Sequence, residues 1–175
     1  SSGSTGSRKL IPITQRVQQT RAYANQVAMG HAFEQSRAQG LNLGQLLLTT
    51  SIAPLGKTDG GITYGHVSGN QLRTTPSLIF KQLFIQPYEA LLVSNTAARN
   101  YICLLFGLRQ PRLAYIAANF PLIMLQLCTY LDRFGPALVD DIGRGTISQD
   151  IVLKPELRES LQQQLSPQPE RPKQL

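Results

Sequence analysis

The segment Ser1-Ser2-Gly3-Ser4-Thr5-Gly6-Ser7-Arg8-Lys9 carries residue types whose spacing could do chemistry. Glycines let the backbone turn so that consecutive N–H groups converge on an anion. Serine and threonine hydroxyls add donors, and a lysine supplies a point charge for phosphate oxygens. The spacing is not the Walker pattern, which needs Gly-x-x-x-x-Gly-Lys-Ser/Thr. A flexible linker or a tag remnant has the same Gly/Ser composition. What sets this segment apart is its continuation into Lys9-Leu10-Ile11-Pro12-Ile13, a short strand-like apolar stretch with no spacer.

The other reactive side chains form no such constellation. Cys103 and Cys128 lie in apolar surroundings without a CxxC, and their spacing with His31 and His66 is not that of a metal site. His31 reads as a packed or boundary residue of a helix, and His66 lies in a glycine-rich stretch. No Ser-His-Asp set can be assembled from these spacings. Asp140 and Asp141 are adjacent on a helix, so they face different ways and cannot act as a paired acid and base; a solvated face accounts for them.

The elements that must position these residues follow from composition and periodicity. The 175 residues are 42% hydrophobic, which excludes wholesale disorder and suits one sizeable core. The net charge of +7 is concentrated at the front: residues 1–50 hold five basic side chains against one acidic. Thr14 can cap a helix to about Ala38 that Gly40 ends, and Leu46 to Thr50 reads as a buried strand. Residues 56–69 are glycine-rich and read as a surface loop, and Pro87 to Val93 as ending in a short strand. Ser94 or Asn95 can cap a helix over 96–107 that buries Tyr101, Ile102, Leu104 and Leu105. Leu113 to Ala118 reads as a strand, followed by a helix from Pro121 to about Phe134. A short helix from Pro136 to Gly143 and a last one from Pro155 to Leu165 complete the chain.

Strands alternating with helices predict an α/β fold, a layered sandwich with a largely parallel sheet flanked by helices. Leu113 to Leu131 is uncharged, but Asn119, Pro121 and Gln126 interrupt it, so burial in a core is expected rather than a membrane span. The absence of a signal segment gives the expectation of a cytoplasmic location. Ser1 without a preceding Met, and the ending Pro169-Glu170-Arg171-Pro172-Lys173-Gln174-Leu175, read as cuts from a longer chain.

The opening segment with Leu10-Ile11-Pro12 resembles the phosphate-binding motif of adenylate-forming enzymes, the superfamily of luciferases and acyl-coenzyme A synthetases. Its Lys-Leu-Ile-Pro continuation is closer to one branch, resembling the Gretchen Hagen 3 (auxin-responsive) acyl acid amido synthetases. Four further segments resemble that branch in order: Gly65-His66-Val67-Ser68-Gly69; Pro87-Tyr88-Glu89-Ala90-Leu91-Leu92; Tyr101-Ile102-Cys103-Leu104-Leu105-Phe106-Gly107-Leu108; and Asp140-Asp141-Ile142-Gly143-Arg144-Gly145-Thr146-Ile147-Ser148. In the last, no general physical reason is evident for the Asp-Ile-x-x-Gly-x-Ile/Leu-Ser spacing.

The resemblance implies that residues 1–165 are part of the large N-terminal adenylating domain, with 166–175 a proline-rich connection onward. It implies ATP and Mg²⁺ as cofactors, and a small carboxylic acid and an amino acid as substrates. The acid becomes an acyl adenylate and then an amide. Ser2, Gly3, Ser4, Thr5 and Gly6 would contact ATP phosphates, and Lys9 would take the motif's basic position or turn to solvent beside Arg8. Arg21 on the following helix could meet the substrate carboxylate, with a solvated arginine as the competing account. Phe120 and Ile123 stand where a substrate-facing wall would be, with plain core packing as theirs.

The superfamily's downstream Tyr-x-Ser/Ala-Ser-Glu-type motif, its ribose-binding Asp and its mobile C-terminal domain are not found between Ser1 and Leu175. These residues alone are therefore not expected to turn over. Two other readings stand beside this one. The first is an adenylate-forming enzyme ending in a thioester. The second is a basic, non-enzymatic binding module for nucleic acid or an acidic partner. Sparse aromatics (7%, no Trp) and no Lys/Arg run beyond Arg8-Lys9 count against nucleic acid.

Overall fold

The computed structural model describes residues 10–41, 44–111, 113–118 and 120–175. The chain divides into two units, one of Ser1–Leu43 with Pro54–Tyr64 and one of Gly44–Ala53 with Gly65–Leu175.

In the first unit, Leu10 to Thr14 form no strand. Pro12 has no backbone N–H to donate to a ladder, so this apolar stretch stays irregular. Helix α1 (Gln15–Ala38) starts where expected, with Thr14 Oγ1 accepting from the Val17 N–H at 3.3 Å. It closes in a Schellman arrangement, Leu41 N–H on the Ser36 carbonyl at 2.9 Å and Gly40 N–H on that of Arg37 at 3.0 Å. Its apolar residues do not make a core face: Val17, Tyr23 and Val27 are exposed, and Ser36 is its only buried residue. Residues 54–65 are a hairpin rather than a loop. Strands β2 (Pro54–Lys57) and β3 (Thr63–Gly65) pair across a turn in which Thr58 N–H bonds the Ile62 carbonyl at 2.9 Å.

The second unit holds a parallel pair of strands wrapped by helices, the α/β arrangement expected. Strand β1 (Gln45–Leu48) pairs with β4 (Leu113–Ala117) in the register Leu46↔Tyr115, Leu47↔Ile116 and Leu48↔Ala117. Between them in sequence come α2 (Val67–Arg73), α3 (Ser77–Leu83), α4 (Tyr88–Leu92) and α5 (Thr96–Leu108). After β4 come α6 (Pro121–Arg144), α7 (Pro155–Gln162) and a short 3-10 helix, Arg171–Gln174.

Helix α5 is the centre of the core. Asn95 Oδ1 caps it by accepting from Ala98 N–H at 3.0 Å, and every residue from Ala98 to Gly107 is buried. A helix apolar on all sides is one surrounded on all sides. Leu47, Ala90, Leu91, Leu138, Ile142 and Leu161 belong to the same core.

Three local expectations are corrected here. The glycine-rich stretch ends in helix α2, which begins at Val67 and includes Gly69. Gly69 is needed by close approach, since a Cβ there would lie 2.4 Å from the Ser51 carbonyl oxygen. The apolar run before Val93 is helix α4, not a strand; five residues carry too little periodicity to separate the two, and packing decides. Pro136 opens no new helix but sits inside α6. An interior proline costs about 3 kcal/mol, yet burying Leu127, Leu138 and Ile142 along one continuous helix returns about 1.5–3 kcal/mol each.

Candidate functional site

The expected phosphate-contacting residues Ser2, Gly3, Ser4, Thr5, Gly6 and Lys9 lie outside the described residues. Arg21 sits on α1 in the first unit and is exposed. In the second unit, Phe120 and Ile123 come together at the start of α6, directly after β4. Phe120 is the N-cap residue and Ile123 N–H donates to its carbonyl at 3.0 Å. Core packing does not account for Phe120, which is 67% exposed; Ile123 is half-buried. Leu122 and Leu125 are also exposed, so much of the uncharged stretch lies at the surface rather than in the core. Among the described residues no helix is long and apolar enough to cross a membrane.

Phe120 follows the carboxyl end of a parallel strand, the end at which α/β sheets bind ligands. At the same end of β1, Thr49 is held by Arg99. The Arg99 guanidinium donates from Nε to the Thr49 carbonyl (2.8 Å) and from Nη1 to those of Val93 (2.9 Å) and Ser94 (3.3 Å). Its Nη2 donates to Thr96 Oγ1 (3.3 Å). Burial pulls its pKa below the usual arginine value, opposed by Cys103. Each of its three nitrogens donates within the protein, so Arg99 shapes the loops. Cys103, one turn further on, is fully buried, and desolvation pushes its thiol up to about 12 against the opposing effect of Arg99. It is therefore a protonated, inert thiol at neutral pH. Gln86 Oε1 accepts from the Leu48 N–H at 3.2 Å, while Gln86 Nε2 and Asn100 Nδ2 are buried without a partner among the described residues.

The Asp140-Asp141 pair corrects the expectation of a solvated face. Asp140 is exposed and pairs with Arg144, but Asp141 is 1% exposed. Asp141 Oδ2 accepts from the Tyr101 hydroxyl at 2.6 Å and from the Ser148 N–H at 2.7 Å, and its Oδ1 accepts from Thr146 Oγ1 at 2.9 Å. Burial, then the bond to Asp141, raises the Tyr101 pKa far above the ordinary tyrosine value, so the hydroxyl stays a donor.

Here lies the physical reason for the Asp-Ile-x-x-Gly-x-Ile-Ser spacing. Ile142 is core, and Gly145 ends α6 at φ +69°, where a Cβ would also meet the Pro167 nitrogen at 2.5 Å. Ile147 is buried and its N–H donates to Gln162 Oε1, and Ser148 closes back on Asp141. The motif is a helix stop tied to α5. It is not an acid–base site.

Arginine clamps are the feature that sequence reasoning missed. Arg73 donates to the Ile52 and Ala53 carbonyls, Arg158 to those of Ile147, Ser148 and Ile151, Arg109 to that of Ser166 and Arg171 to that of Leu108. With Arg99, five arginines among the described residues are engaged in this way. No motif announces them, because most of their partners are main-chain carbonyls. Arg109 and Arg171 also border a shallow cleft of ≈ 340 Å³ with Pro111, Gln168, Pro169, Glu170 and Gln174. His31 is exposed, 4.0 Å from Glu34, rather than packed, and His66 is exposed at the start of α2. Among the described residues no three His, Cys, Asp or Glu side chains are grouped to hold a metal.

Comparison with known proteins adds the family. The description "GH3 family N-terminal domain" matches residues 1–175. No curated protein matches the chain. Among solved structures, "GH3.15 acyl acid amido synthetase" superposes with a TM-score of 0.79 at 21% identity, covering 99% of this chain and 30% of that one. "AtGH3.15 acyl acid amido synthetase in complex with 2,4-DB" superposes at 0.74 with 22% identity, covering 97% and 29%. The chain thus spans under a third of the length of these structures and shares the fold of that portion. By a match that runs its whole length, this chain belongs to the GH3 family, in that family's N-terminal domain.

Proposed function

We propose that this chain forms the acid-activating part of an ATP-dependent acyl acid amido synthetase. The observation that carries the reading is the match of all 175 residues to the GH3 N-terminal domain. In the proposed reaction the carboxylate oxygen of a small acid attacks the α-phosphorus of ATP and pyrophosphate leaves, giving an acyl adenylate. The amine of an amino acid then attacks the acyl carbon. AMP leaves, a proton is lost from nitrogen, and an amide remains.

Residues Ser2 to Gly6 with Lys9 are the proposed holders of the triphosphate, by the hydroxyl, N–H and ammonium donors their types provide. Mg²⁺, when bound with ATP, would supply charge neutralisation for the triphosphate. Phe120 and Ile123 offer an apolar surface to the acyl chain at the carboxyl end of β4, and the exposure of Phe120 supports that role. Arg21 is the proposed partner of a carboxylate. The remaining elements of the reaction belong to the longer protein of which this chain is part, acting in the cytoplasm.

The test is acid-dependent pyrophosphate release by the full-length protein, screened over carboxylic acids with either amino acids or coenzyme A as acceptor. Release with an acid, followed by amide formation with an amino acid, is expected. Replacing Ser4 and Thr5 with Ala should reduce release about 100-fold or more, as loss of phosphate-positioning donors does. Product formation with coenzyme A alone would replace the amide reading with a thioester one. No release with any acid, or salt-sensitive binding to random DNA in its place, would overturn the proposal.

A further inference from the structure

Helix α6 joins two stretches of unlike anchorage at Gly135-Pro136. Pro136 has no N–H to donate to the carbonyl of Asp132 and its ring crowds that carbonyl, while glycine is the weakest helix former after proline. Packing does not require glycine there, since nothing lies within 4 Å of a Cβ placed at residue 135. Sharp bends in helices concentrate at such residues. On the C-terminal side, Leu138, Asp141 and Ile142 are at most 1% exposed. Asp141 receives three hydrogen bonds, and the Ile142 carbonyl accepts from Gln168 N–H at 3.2 Å. On the N-terminal side Leu127 is the one buried residue, Met124, Tyr130, Leu131 and Phe134 pack against the core only half-buried, and Leu122 and Leu125 are exposed. The stacked rings of Tyr130 and Phe134, with Phe134 edge-on to Tyr101 at 5.7 Å, lie next to the junction.

We propose that Gly135-Pro136 is a hinge: residues 121–134 move as one helical segment about the fixed residues 137–144, and the Phe120–Ile123 surface adapts with them to acyl groups of different bulk. The adaptation rests on the acyl-surface reading given above; the hinge does not. Gly135 and Pro136 are positioning residues, acting through a surface they do not touch themselves.

Hydrogen exchange on the full protein tests the hinge. Corrected for intrinsic rates, amides of 126–134 should exchange about tenfold or more faster than those of 137–144. The G135A/P136A variant should narrow that contrast at least about threefold, and Pro136→Ala alone should narrow it less. Equal protection of the two stretches, or a contrast that both variants leave unchanged, would overturn the hinge. Adaptation is read from the acid screen: G135A/P136A should keep kcat for the smallest acid and raise KM for the bulkiest about fivefold or more. An equal change for every acid would overturn it. Failure of the activity reading looks different, because the unmodified protein would then release no pyrophosphate with any acid while exchange still decides the hinge.

Discussion

The Tyr101 hydroxyl donates a 2.6 Å hydrogen bond to Asp141, and each side chain is 1% exposed. The bond ties the centre of α5 to the last turn of α6, and the Thr146 and Ser148 donors on the same carboxylate fold the following loop back onto it. Removing the hydroxyl with Tyr101→Phe leaves Asp141 two donors and should cost about 1.5–3 kcal/mol, the worth of a hydrogen bond to a charged group. Asp141→Ala strands all three donors and should cost more. Urea unfolding would show the loss as a lower midpoint at unchanged m. A Tyr101→Phe variant as stable as the parent would remove the latch.

A second expectation concerns alkaline pH. Burial raises the Cys103 thiol from 9.0 to about 12, so between these values the folded chain keeps a proton that the unfolded chain releases. The stability is therefore complete below pH 9 and falls as pH rises, by up to about 1.4 kcal/mol per pH unit from this group. Tyr101 adds loss in the same direction above about pH 10, the ordinary tyrosine value. Between pH 9 and 10 the Cys103→Ala variant isolates the thiol. Its stability should decline less steeply than that of the parent, and parallel slopes would contradict the buried thiol.

Two glycines in helices should respond oppositely to alanine. Gly30 lies within α1 with nothing within 4 Å of where an alanine Cβ would stand, so Gly30→Ala should stabilise by about 0.5–1 kcal/mol through helix propensity. Gly69 lies in α2 with the Ser51 carbonyl oxygen 2.4 Å and the Ile52 Cα 3.2 Å from that position, and main chain cannot yield as a side chain does. Gly69→Ala should destabilise by about 1–3 kcal/mol, the usual cost of overpacking. Thermal melts of both variants decide it; a Gly69→Ala protein that melts higher would show that α2 shifts freely.

Much of the chain was legible without coordinates where the signal is local. The Thr14 and Asn95 caps, the prolines that open α6 and α7, and the two parallel strands are written in neighbouring residues, and the ordered motifs point to the family that the whole-length match establishes. Where several interactions over long separations compete, local reading stops. Adjacent aspartates on a helix must diverge by about 100°, but which one turns inward depends on α5 lying against α6 and on Tyr101, forty residues earlier. Likewise Pro136 is a helix opener by its type, and the burial of Leu127 and Leu138 on either side carries the helix through it. The order of elements, their caps and the family can be read from the chain residue by residue. Which charges are buried as clamps and latches belongs to the packed molecule, because desolvation and main-chain partners exist only once the elements have come together.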